Sequence, residues 1–214
     1  SKAEGDASQV QALRTRKAEL ESKVADEKQQ VENDQAALDS ADAALDTAQT
    51  AQKTAEDKLV APTQAVEDAQ AALSARQEEK SDIDSEVSAS QARYNFAKSS
   101  YDAIKDSKWV LPSVKNEAKK ALDSAEADLN SWKAKQDAKA EEVAAAQAAL
   151  DSANAAKAPL DEALAQAKQE VADAQAAKQA ASDKLDAAKA ALSADQTELD
   201  NVNTRLDAID HLAE

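Results

Sequence analysis

The chain has 214 residues, of which one is glycine, three are proline and none is cysteine, and its formal net charge is −16. A balance this acidic argues against nucleic acid and anionic membrane surfaces as partners, because both attract clusters of Lys and Arg. No apolar run approaches the ~18 residues of a membrane span, so no direct membrane insertion is expected. The Ala-rich composition with only 2% aromatic residues leaves two candidate classes, a coiled coil and a disordered chain.

A first helix is predicted over about residues 7–106. Stepping by seven from Val10, eleven of fourteen positions are apolar or aromatic, in one unbroken phase that ends at Tyr101. A second track lies three residues further on, beginning at Leu13 and Leu20 and continuing mostly as alanine with polar interruptions. These are the a and d positions of a heptad repeat, which indicates a coiled coil and excludes disorder.

Two prolines interrupt this helical pattern, one in each half of the chain. Pro62 follows Leu59-Val60-Ala61, and Pro159 precedes Leu160. The heptad phase continues through both, so neither is expected to reverse the chain. Because a proline removes a backbone hydrogen bond and bends a helix, we predict a shared kink or hinge at Pro62 and Pro159.

A turn is predicted over about residues 107–112, close to the middle of the chain, followed by a second helix over about 113–212. Pro112 ends the first helix and suits the first turn of the second. The second helix has its own a track, from Leu122 to Leu206 in steps of seven. Two helices of equal length joined by a short turn predict an all-α, antiparallel two-helix hairpin over residues 1–214.

Folding the hairpin superposes the two a tracks when paired residue numbers add to 223, as for Leu38 with Leu185. Every polar a residue is then level with an apolar one, for example Lys80 with Val143. The small d residues predict a thin rod about 150 Å long. A parallel dimer and a four-helix bundle folded at the prolines are the rival architectures, and the hairpin predicts a monomer.

The predicted tip differs in chemistry from the rest of the chain. All five aromatic residues lie between positions 94 and 132, and eight lysines lie between positions 98 and 135. Tyr94, Tyr101 and Trp132 fall on a or d positions, which favours a packing role. Phe96 and Trp109 are expected to face outward, as exposed aromatic side chains do at interfaces. The candidate partner-binding residues are Phe96, Lys105, Lys108, Trp109, Val110 and Leu111.

Chemistry that would indicate an enzyme is not found in the sequence. The single histidine, His211, cannot build a zinc site without cysteines or a catalytic triad without a shaped pocket. The stretch from Asp82 to Glu86 lacks the glycine and the later glutamate of a calcium loop. With Gly5 as the only glycine, no glycine-rich phosphate loop can form. We therefore expect no catalytic activity, no metal and no cofactor.

Three stretches resemble the Ala-rich helical regions of Gram-positive surface proteins such as pneumococcal surface protein A. They are AVEDAQAALSA (65–75), VAAAQAALDSANAA (143–156) and DKLDAAKAALSADQ (183–196). The resemblance implies an extracellular rod, attached to the cell wall in a longer protein, that binds host or neighbouring-cell molecules. The absence of an initiator Met and of a signal peptide also suggests a segment of a longer protein.

Two functional hypotheses follow for such a hairpin. The first is a surface stalk that presents the aromatic tip to a protein partner, as an adhesin does. The second rests on a resemblance to the regulatory coiled coils of secreted peptidoglycan hydrolases, which dock on a membrane protein of the division machinery. A pure spacer without a ligand is a third alternative.

Overall fold

The computed structural model describes residues 2–213, with the side chains of residues 4–212. Helix α1 runs from Lys2–Ile104 and helix α2 from Pro112–Ala213, and residues 105–111 join them. Side chains of α1 contact side chains of α2 in antiparallel order, as in the ion pair of Lys23 with Asp195. The predicted all-α, two-helix hairpin is therefore confirmed.

The helix bounds differ from the predicted ones by a few residues. Helix α1 begins at Lys2 instead of near residue 7, with Glu4 in its first turn, where a carboxylate stabilises the helix dipole. It ends at Ile104, because the next backbone contact, from the Ser107 N–H to the Ile104 carbonyl, spans three residues instead of four. Pro112 is the first residue of α2 and so belongs to the helix instead of the turn.

The packing divides the chain into two units. The terminal unit comprises Ser1–Glu56 with Ala163–Glu214, and the tip unit comprises Asp57–Glu162. A cluster of buried side chains in the terminal unit joins Leu20 and Val24 of α1 to three residues of α2. In the tip unit the buried side chains include Leu73 of α1 and Leu129 of α2. Each unit thus has its own narrow apolar seam.

The heptad pattern predicted the core positions. Every buried hydrophobic residue in the described part of the chain occupies a predicted a or d position. These residues are Leu20, Val24, Leu45, Leu59, Leu73, Leu122, Leu129, Leu150, Ala167, Leu185, Leu199, Val202 and Leu206. Two helices can enclose little more than this seam, since each helix presents only one stripe to the other.

The observed register differs from the predicted alignment by four residues. Most cross-helix polar contacts, in both units, join residues whose numbers add to 218 or 220: Lys23–Asp195, Asp34–Lys184, Asp42–Lys178, Arg76–Glu142, Glu79–Lys139 and Asp84–Gln136. Two contacts made by long arginine side chains deviate, Arg16–Glu198 at 214 and Arg93–Asp128 at 221. A centre near 219 sets an a residue opposite a d residue of the other helix. The alignment at 223 matched a with a and is wrong for that reason. Lys80 is consequently level with Lys139 and not with Val143.

Both helices carry repeated hydrogen bonds between residues four apart, on their exposed faces except for the pair that ends at the buried Asp34. In each, the amide Nε2 of a glutamine donates to a carboxylate or amide oxygen one turn later, at 2.8–3.2 Å. The pairs are Gln29–Asn33, Gln30–Asp34, Gln35–Asp39, Gln52–Glu56, Gln64–Asp68, Gln91–Asn95, Gln147–Asp151, Gln169–Asp173, Gln179–Asp183 and Gln196–Asp200. Each stabilises its helix by roughly 0.2–0.5 kcal/mol, without help from the other helix.

Candidate interaction site at the helix turn

The turn of residues 105–111 is held by hydrogen bonds at both ends. The Trp109 N–H donates to the Ser107 hydroxyl oxygen at 3.2 Å. The Leu111 carbonyl accepts from the N–H groups of Val114 and Lys115, at 3.0 and 3.2 Å. Pro112 fits this first turn because it has no N–H to satisfy there. These contacts position the turn without using any of its apolar side chains.

The apolar side chains at this end of the hairpin are largely exposed. Trp109 is 96% exposed, Phe96 76% and Leu111 67%, whereas Val110 is half-buried. Phe96 faces outward, as its heptad position predicts. Trp109 and Leu111 lie in the turn, and Phe96 lies eight residues before the end of α1. A site that includes all of them therefore extends from the turn along α1.

Tyr94, Tyr101 and Trp132 differ from these side chains in being half-buried. The Lys119 ammonium lies 5.8 Å from the centre of the Tyr101 ring, and the Lys135 ammonium lies 4.2 Å from the centre of the Trp132 ring. Both are cation–π contacts. These three aromatic residues stabilise the end of the hairpin, in agreement with their a and d positions.

The lysines of the tip fall into two groups. Lys105 pairs with Asp102 at 3.3 Å, and Lys119 with Asp123 at 2.9 Å. The hydrogen bond to Asp123 raises the pKa of the Lys119 ammonium above its ordinary value. Lys108, the remaining predicted site lysine, is exposed and has no ion pair within the described residues. Both Lys105 and Lys108 are accessible to a partner.

A polar contact across the helices lies below the tip and was missed by the sequence analysis. The Ser90 side chain, 1% exposed, donates its hydroxyl to Asp128 Oδ2 at 3.2 Å. Arg93 Nη2 donates to the Ser90 hydroxyl oxygen at 2.9 Å and to the same Asp128 oxygen at 3.2 Å. The only sequence signal was a serine on the d track. We call these three residues the serine knot.

A second missed feature is a charged layer in the core of the tip unit. Lys139 binds Glu79 across the helices and Glu142 on its own helix. The hydrogen bond to Glu142 raises the pKa of Lys139 most, and the one to Glu79 adds to this effect. In turn, the hydrogen bond from Lys139 lowers the pKa of Glu79. Lys80 is neutralised by Asp84 at 2.9 Å. The layer tolerates two lysines at facing core positions because each has a carboxylate partner.

Asp84 also connects this layer to α2, because its other oxygen accepts a hydrogen bond from Gln136 at 2.8 Å. The bonds from Gln136 and Lys80 lower the pKa of Asp84. Asp84, one of the three carboxylates in the Asp82–Glu86 stretch, is therefore engaged in a helix–helix contact. His211, the single histidine, is exposed in the last turn of α2.

The predicted hinge prolines both lie in the tip unit. Helix α1 continues through Pro62, which is half-buried, and α2 continues through Pro159, which is exposed. Neither proline breaks its helix. Each deprives one carbonyl of its helical donor, that of Lys58 in α1 and that of Ala155 in α2. The shared bend itself stays a prediction.

The fold and the heptad core define the chain as an antiparallel coiled-coil hairpin. It matches no known protein-family model and no curated protein sequence. A coiled-coil segment of Smc from Pyrococcus yayanosii is similar over 96% of this chain and 92% of that one, with 17% sequence identity and a TM-score of 0.35. Within the described residues, neither helix has a stretch apolar and long enough to cross a membrane.

Proposed function

We propose that the hairpin is a non-enzymatic stalk of a bacterial surface protein, which presents the aromatic turn to a protein partner in adhesion. The observation that carries this proposal is the 96% exposure of Trp109, beside the exposed Leu111, in the turn that joins the helices. An indole left in water is costly to keep and gains most when a partner covers it, which is why tryptophan is enriched among the residues that dominate interface affinity.

The side chains that hold the two helices together differ from those that are exposed at the turn, which supports separate structural and binding roles. The a and d side chains, the serine knot and the charged layer hold the helices together. Phe96, Trp109 and Leu111 take no part in any of these contacts, so they are free to bind without loss of packing. An extracellular, wall-attached location in a Gram-positive organism belongs to the same proposal and rests on the resemblance of the Ala-rich stretches.

A photo-crosslinking residue placed at position 109 tests the tip directly. A matched control places it at Val60, which is 69% exposed on α1. We expect one envelope or host protein to crosslink from position 109 and not from position 60. The purified partner should then bind Trp109→Ala at least about tenfold more weakly than wild type or Val60→Ala.

The identity of the crosslinked protein separates the stalk from the regulatory module. A host or neighbouring-cell surface protein supports adhesion. A membrane protein of the division machinery supports the hydrolase regulator instead. Equal binding of wild type, Trp109→Ala and Phe96→Ala by every partner found would remove the tip from either function.

A further inference from the structure

The charge of the tip is opposite in sign to that of the rest of the chain. Residues 94–135 contain eight lysines against six Asp and Glu residues, a net charge of +2. Since the whole chain carries −16, the remaining residues carry −18. Phe96, Trp109 and Leu111 therefore lie within a region of net positive charge in an acidic molecule, whereas the exposed Val60 and Leu212 lie outside it.

Several of these lysines take no part in ion pairs among the described residues. Lys98, Lys108, Lys120 and Lys133 are exposed and have no ion-pair partner within the described part of the chain. Unpaired ammonium groups beside an apolar anchor attract carboxylates, which steer association and fix its register. Because the Trp109 side chain is 96% exposed, its indole N–H is hydrated and is available to donate to a partner.

The position of Phe96 bears on the shape of the partner. It lies eight residues before the end of α1, or about 12 Å along the helix axis at ~1.5 Å per residue. A flat lipid surface that met Trp109 end-on would leave Phe96 uncovered. A concave protein surface can cover both aromatic side chains together.

We infer that the partner is a protein surface with an apolar pocket for the Trp109 indole and a rim of Asp and Glu side chains facing the unpaired lysines. This inference rests on the proposed function and adds the chemistry of the partner to it. The apolar contact supplies most of the affinity, and the rim supplies the association rate and the selectivity.

Selection from a phage-displayed peptide library on the immobilised full chain tests the inference. The counter-selection uses the Trp109→Ala chain, so that the peptides retained depend on the tip. Because Trp109 makes no packing contact, the variant keeps the fold, which its circular dichroism verifies. We expect the retained peptides to be enriched several-fold in Asp and Glu, together with apolar residues, over the unselected library.

Charge-reversal variants then test whether the unpaired lysines contact the acidic side chains of the bound peptide. With a retained peptide, Lys108→Glu/Lys120→Glu should weaken binding about tenfold or more. The matched control, Lys53→Glu/Lys58→Glu, reverses two exposed lysines outside the basic region of residues 94–135 and should change the affinity less than about twofold. Raising NaCl from about 50 to 300 mM should weaken wild-type binding several-fold.

The outcomes separate the inference from the proposed function. Tip-dependent peptides without acidic enrichment would overturn the carboxylate rim and leave a binding tip in place. An absence of tip-dependent peptides would overturn both. Trp109-dependent sedimentation of the chain with phosphatidylglycerol vesicles, but not with phosphatidylcholine vesicles, would assign the tip to a membrane and so overturn the protein partner.

Discussion

The carboxyl groups of Glu27 and Asp195 meet across the helices of the terminal unit, both from d positions of the heptad. Both side-chain oxygens of Glu27 are buried and have no hydrogen-bond donor when the two groups are ionised. Lys23 binds Asp195 at 3.1 Å, and Arg16 is a second cation whose charge acts on Asp195. We infer that one proton shared between the two carboxyls gives Glu27 a hydrogen bond to Asp195. This contact raises the pKa of Glu27 and lowers that of Asp195.

The pair predicts that mild acid stabilises the terminal unit. Because the folded pKa of Glu27 lies above its ordinary value of 4.5, its contribution is present below that value and is lost as the pH rises through the folded pKa. Asp195 acts oppositely, and its contribution is lost only when the pH falls through its lowered pKa. The pair is therefore most favourable with one proton, between these two limits.

Glu27→Gln should raise the melting temperature at pH 7, because the side-chain amide that the substitution introduces donates to Asp195 permanently. The gain should shrink near pH 4.5, where protonated Glu27 makes the same contact in the wild type. Thermal melts followed by circular dichroism at the two pH values check this. Glu32→Gln, at an exposed position of the same helix, is the matched control and should show no such pH dependence. A gain that stays constant with pH would contradict the shared proton.

Within the serine knot, we expect the side chains of Arg93 and Asp128 to be energetically coupled. Their side chains are about half exposed, at 55% and 48%, so we expect a coupling free energy of only about 0.5 kcal/mol. A double-mutant cycle with Arg93→Ala and Asp128→Ala, unfolded in urea and followed by Trp132 fluorescence in a Trp109→Phe background, measures it. The exposed Lys119–Asp123 pair within α2 provides the comparison and should couple more weakly, because it does not join the two helices. Additive single substitutions would show that the knot is not coupled.

The charged core residues should keep the chain monomeric. In a parallel dimer in register, Asp34, Lys80 and Lys139 would each face an identical charge, whereas in the hairpin each has an opposite charge nearby. We expect a monomer in sedimentation equilibrium and a melting temperature independent of protein concentration over about a 100-fold range. Replacing the three residues by leucine should produce association that depends on concentration. A wild-type dimer at micromolar concentration would contradict the prediction.

The prolines should be the weakest points of the helix backbone in the tip unit. Pro62→Ala and Pro159→Ala each restore a hydrogen bond and should raise the free energy of unfolding by on the order of 2 kcal/mol. Hydrogen exchange of the amides flanking each site should slow in the double variant. Val60→Ala, which changes helix propensity alone, should alter stability by only a few tenths of a kcal/mol. Unchanged exchange in the double variant would argue against a hinge.

Helix type and core positions followed from the sequence because apolar residues at seven-residue spacing form one stripe along each helix, and the hairpin topology followed from the short turn between two helices of equal length. Leu45 and Leu185 are buried where the repeat placed them. The axial register of one helix against the other did not follow. The predicted alignment paired a residues with a residues, whereas in antiparallel packing an a residue lies opposite a d residue. Because of that error, the sequence did not predict that Lys80 lies opposite Lys139.

The exposure of Phe96 and Trp109 also followed from heptad position and from the turn. The polar contacts did not, since they depend on which long side chains reach across the seam. Ser90 was a small d residue by sequence, and only its two partners make it a buried hydrogen-bonded group. Glu27 was a polar interruption until Asp195 was brought against it.

The antiparallel register restricts how such a hairpin changes length in evolution. Seven residues inserted into α1 alone, between Asp42 and the turn, would shift α1 by one heptad against α2 on one side of the insertion, and pairs such as Asp42 with Lys178 would be lost. The same insertion matched at the mirrored position of α2 preserves every pair on both sides. Related hairpins should therefore differ in length by fourteen residues or multiples of it, divided equally between the arms, with the aromatic turn conserved at the end.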